Sequence, residues 1–81
     1  METRVAVAAI IMEEPASVAS LNDLLHQYSA YIIGRMGIPY KEKNIAVISI
    51  AMDAPNDVIS ALTGKIGRLK GVTVKAAYSS F

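Results

Sequence analysis

Glu13-Glu14-Pro15-Ala16-Ser17-Val18 and Asp53-Ala54-Pro55-Asn56-Asp57-Val58 are two versions of one signal. Each follows an apolar, β-rich run and sets a proline just ahead of a helical pattern. Proline suits a first helical turn, where the amide hydrogen it lacks would be unpaired anyway, and acidic residues beside it favour the positive end of a helix. The chain therefore reads as a strand-helix unit used twice.

Upstream of Pro15, residues Thr3 to Met12 are apolar on both parities, the pattern of a central strand covered on both faces. Downstream, Val18, Leu21, Leu24, Leu25 and Tyr28 share one helical stripe, with Asn22, Asp23 and Gln27 turned to water. Tyr31 to Tyr40 is strand-like but interrupted by Gly34, Gly37 and Pro39, which suits an edge strand, because proline cannot donate to a ladder. Lys41 to Asn44 is a polar turn into Ile45 to Met52, a second two-sided apolar strand, so a hairpin is expected.

The second helix is expected to start at an Asp53 cap and to bury Val58, Leu62, Ile66 and Leu69. Gly64 and Gly67 weaken its second half, and Gly71 stops it before Val72, Val74 and Ala76 alternate with Thr73, Lys75 and Ala77 in a last strand. The order βαββαβ is the ferredoxin-like α+β arrangement, a four-stranded antiparallel sheet with two helices on one face, in a single domain spanning residues 1–81. The first and third strands should be the inner ones, being the most apolar.

A chain of 81 residues buries on folding only about 60–65 % of the surface it would otherwise expose. It has no cysteine for a disulfide or thiolate site, and a reducing cytoplasm is the simplest address. Yet 53 % of it is hydrophobic. Two helices cover one sheet face, so the excess points to burial of the other between subunits, as a homodimer or homotetramer. A net charge of +1 gives no basic footprint for nucleic acid. The inner strands carry no aromatics of the kind that stack on RNA. Val5 to Met12 is too short to cross a bilayer, so no membrane association is expected.

Few residues suggest chemistry. Arg35 stands between Gly34 and Gly37 on the edge strand, where glycine permits close approach and a guanidinium can hold a carboxylate or phosphate. With Tyr40 these residues form the candidate ligand-binding corner; the alternative is a bulged edge whose arginine is solvated or paired with Glu42 or a neighbouring subunit. His26 is the only histidine, three residues after Asp23. With no cysteine it could serve a metal only if symmetry gathered several copies. The segment Gly64 to Gly71 lacks the spacing of a phosphate loop and reads as a helix end with complementary basic residues. No nucleophile motif or buried carboxylate pair is present, so neither catalysis nor a cofactor is expected.

The strings Tyr31-Ile32-Ile33-Gly34-Arg35-Met36-Gly37-Ile38-Pro39-Tyr40 and Asp53-Ala54-Pro55-Asn56-Asp57-Val58-Ile59-Ser60-Ala61-Leu62 resemble the small stand-alone proteins described as regulators of the iron-only hydrogenase system. The likeness covers almost the whole chain. That family is similar in fold to ACT domains and to the effector domain of nickel-responsive repressors, which assemble through their sheets and bind small effectors between subunits. The resemblance implies a non-enzymatic regulatory domain with a small-molecule effector or a protein partner. It does not imply nickel sensing of the repressor type, which uses several histidines with a cysteine where this chain has His26 alone. The alternatives are a metal sensor using His26 across a subunit interface and a purely structural assembly module.

Overall fold

In the computed structural model, which describes residues 2–80, burial alternates along the first strand, β1 (Arg4–Met12). Ala6, Ala8, Ile10 and Met12 are buried, whereas Val5, Val7 and Ile11 face outward. The chain continues through α1 (Val18–Gln27), β2 (Ile32–Tyr40), β3 (Ile45–Ala54), α2 (Asn56–Gly67) and β4 (Val72–Tyr78). The four strands form one antiparallel sheet in the order β2-β3-β1-β4. This is the ferredoxin-like arrangement, with the two most apolar strands inside and the glycine- and proline-bearing strand at an edge.

Both helices lie on one face, as right-handed crossovers that interleave in one sheet require. Leu21 and Leu25 of α1 and Ile59, Leu62 and Ile66 of α2 pack there against Ile10, Ile48, Ile50 and Met52. Ala6 and Ala8 of β1 sit opposite Met52 and Ile50 of β3, so small residues face large ones in the layer beneath the helices. Such complementarity lets the core reach the packing density of a crystal.

Sequence and structure differ in several respects. The apolar pattern of β1 and β3 suggests cover on both faces, but the chain covers only the helix side. Val5 and Val7 are each 42 % exposed on the other. Pro15 opens a short 3-10 turn (Pro15–Ser17) before the α-helix proper, with the Glu14 carboxylate accepting the Ala16 amide at 3.1 Å. Asp53, expected to cap the second helix, stays in β3, because Ala54 pairs with Arg4 and is fully buried, which carries the ladder two residues past Met52. Pro55 takes the cap position without a side-chain hydrogen bond, and its carbonyl accepts the amides of Val58 (3.0 Å) and Ile59 (3.1 Å).

The remaining turns follow local chemistry. Asn44 closes the β2-β3 hairpin in the left-handed conformation at φ 54°, which asparagine tolerates better than most residues. Gly71, expected to stop the second helix, instead lies four residues past its end at Gly67 and turns the chain into β4 at φ +71°. Tyr78 carries the Arg4 guanidinium 4.8 Å from its ring centroid, and Arg4 Nη2 donates to the Ser79 carbonyl at 2.6 Å, which fastens the end of the chain to β1.

Candidate functional site

Strand alternation decides which residues of β2 can act together. Arg35 pairs with Ile50 and Gly37 with Ile48, so both project to the helix side of the sheet. Gly34 pairs with Ala51 and Tyr40 with Ile45, which assigns them by register to the uncovered side. A bulge between Ile32 and Gly34 inserts Ile33 and shifts the register at the start of the strand. The four residues expected to form one corner are thus divided by the pleat.

Arg35 lines a cleft of ≈ 470 Å³ between α1 and β2, with Asn22, Leu25, His26, Ser29 and Ile32. Asn22 and His26, four residues apart on α1, share one polar stripe beside the buried Leu25, and Ser29 joins them from the 3-10 turn that follows the helix (Ser29–Tyr31). None of the Asn22, His26, Ser29 and Arg35 side chains makes a hydrogen bond or ion pair with another described residue, Glu42 included. Gly37, next to Arg35 on the same face, leaves open space where a Cβ would find nothing within 4 Å.

Tyr40 belongs to another concavity. It lines a smaller hollow of ≈ 170 Å³ at the hairpin end, with Met12, Pro15, Val18, Pro39 and Ile45 among its walls. Asp23, the nearest carboxylate to His26 in sequence, lines a groove on the opposite flank of α1 with Lys65 and Arg68 of the second unit. Lys65 Nζ donates to Tyr28 Oη at 2.9 Å and lies 5.2 Å from that ring, so this basic residue at the end of α2 bridges the two helices. Among the described residues no three of His, Cys, Asp and Glu gather as a group that could hold a metal ion. His26 faces the α1-β2 cleft on the helix side, so two copies joined through their uncovered sheets do not bring its imidazoles together.

That uncovered face is the other candidate. Val5, Val7 and Ile11 of β1 lie beside Val47 of β3 and Met36 and Ile38 of β2, and charge enters by register only at Asp53 and Lys75. Met36 is 51 % and Ile38 48 % exposed. Four strands spaced about 4.8 Å apart and about 25 Å long present roughly 500 Å². The largest apolar patch of a typical monomer spans about 300–600 Å² and is often functional.

Residues 4–76 match the TM1266-like family, described as "Iron-only hydrogenase system regulator, putative". No curated protein matches the chain. Among solved structures, the protein TM1266 from Thermotoga maritima is 36 % identical with a TM-score of 0.92, over 95 % of this chain and 98 % of that one. Two more distant likenesses show the fold alone. A formyltetrahydrofolate deformylase from Pseudomonas putida KT2440 matches at a TM-score of 0.65 and 9 % identity, over 90 % of this chain and 28 % of its own. A protein from Galdieria sulphuraria matches at 0.66 and 14 % identity, over 99 % of this chain and 47 % of its own. No helix among the described residues is long and apolar enough to cross a membrane.

Proposed function

The chain belongs to the TM1266-like family, and from that premise we propose that it is a non-enzymatic cytoplasmic regulator of the iron-only hydrogenase system that works as a pair of copies joined sheet to sheet. The uncovered apolar face of β1, β2 and β3 carries this reading. Two such faces in contact bury roughly 1,000 Å², the lower bound of a specific interface. Asp53 and Lys75 are of opposite sign, so apposing the face with itself sets no net charge against itself. A lone domain of this size is marginal, and pairing adds the hydrophobic burial that two helices alone do not supply.

Regulation then acts through an effector that binds one arrangement of the pair better than another, since equal affinity for both shifts nothing. The effector site is assigned to the helix side of the β2 edge, with Arg35 as its charged anchor and open space at Gly37, while Gly34 and Tyr40 lie across the pleat from it. Sedimentation velocity tests the pairing: the expected particle has twice the mass of the 8.7 kDa chain at micromolar concentration. A monomer that persists on concentrating overturns it.

A further inference from the structure

We propose that the cleft between α1 and β2 binds a small organic monocarboxylate with a short apolar tail, held by Arg35 with Asn22, His26 and Ser29 over a floor of Leu25 and Ile32. The proposal rests on the effector-binding part of the preceding reading and not on self-association.

The electrostatics are one-sided. Among the lining residues Arg35 carries the fixed charge, which is positive, and no carboxylate joins it because Asp23 lines a groove on the other flank of α1. The Arg35 guanidinium presents a planar fork matched to a carboxylate. The Asn22 amide, the Ser29 hydroxyl and the His26 imidazole each add an N–H or O–H donor. All are uncommitted among the described residues, so no internal bond must break before an anion enters.

The floor selects what the anion is attached to. Leu25 is only 2 % exposed and Ile32 half-buried, which makes the base of the cleft apolar. Small-molecule sites span about 300–1,000 Å³, and the cleft's ≈ 470 Å³ falls in that range, with four polar residues around its apolar floor. Inorganic phosphate leaves the floor uncovered. A nucleotide's polyphosphate calls for more cations than one arginine. An amino acid brings an ammonium group to a site with a guanidinium and no carboxylate to receive it, which disfavours it by like-charge repulsion.

The test is a titration of the uniformly ¹⁵N-labelled full chain with isovalerate, valine and inorganic phosphate at fixed pH and ionic strength, followed by amide shifts. Isovalerate is expected to produce saturable shifts centred on Asn22, His26, Ser29 and Arg35. Valine and phosphate are each expected to bind at least tenfold more weakly. Arg35→Gln, on an exposed edge strand, should weaken isovalerate by about ten- to a hundredfold with the remaining spectrum unchanged. Asn22→Leu, at an exposed helix position, provides a second variant with about a fivefold loss. The proposal is overturned if isovalerate shifts are absent or centred elsewhere, if both variants bind it as the parent does, or if valine or phosphate binds as tightly. Sedimentation of the same samples separates the two readings. A pair that ignores isovalerate removes this proposal alone, and a monomer that binds it removes only the pairing.

Discussion

The Glu13 amide donates to the Gly71 carbonyl at 2.7 Å, so the exit from the first strand is bonded directly to the exit from the second helix. The contact is close enough that a Cβ on Gly71 would lie 2.5 Å from the Glu14 Cβ and 3.0 Å from its backbone nitrogen. Since Gly71 also sits at φ +71°, glycine is required there on two independent grounds. Gly71→Ala is expected to cost about 2–3 kcal/mol, combining left-handed strain with a backbone collision. Urea denaturation checks this; parent-like stability would show that the two exits can separate freely.

Ser17 reinforces the same junction. It is the buried polar residue of the core region at 7 % exposure, and its Oγ donates to the Lys70 carbonyl at 2.7 Å. Ser17→Ala removes the donor and leaves that carbonyl short of a partner, for a loss of about 1 kcal/mol. Because Ser17 and Gly71 act on one junction, the double variant should depart from the sum of the singles in a double-mutant cycle.

Buried and exposed isoleucines of the sheet should respond differently to truncation. Ile50 is fully buried between the helices and β1, and Ile50→Ala is expected to cost about 2–5 kcal/mol through lost burial and the cavity left behind. Ile33, the extra residue at the β2 bulge, is 66 % exposed, and Ile33→Ala should change stability by no more than about 0.5 kcal/mol. Equal losses in thermal or chemical unfolding would place Ile33 in an interface.

Pairing through the uncovered face couples stability to concentration. The midpoint of thermal unfolding should rise as protein concentration increases, because association favours the folded state by mass action. Val7→Lys places a charge in the middle of the apolar patch, opposite Ala51 and Ala77. It should abolish the concentration dependence and shift sedimentation to the monomer. A concentration-independent midpoint for the parent chain argues against the pair.

The sequence by itself determined the elements, their order and the layer they form, since each depends on local or short-range chemistry. The prolines at 15 and 55, the helical stripe ending at Leu25 and Tyr28, the glycine at 71 and the apolar content of the inner strands are all readable over a few residues. Strand parity was equally readable. Arg35 and Gly37 fall on one parity and Gly34 and Tyr40 on the other, and the bulge at Ile33 precedes all four without disturbing that division. The Asp53 cap failed for a non-local reason, because the buried pairing of Ala54 with Arg4 extends β3 through it. Only the tertiary structure decided that Asn22, His26 and Ser29 share a cleft with Arg35 while Asp23 does not. Helical spacing aligns Asn22 with His26, but which strand they overlook depends on how α1 seats on the sheet. That seating is set by the packing of Leu21 and Leu25 against side chains drawn from the whole chain.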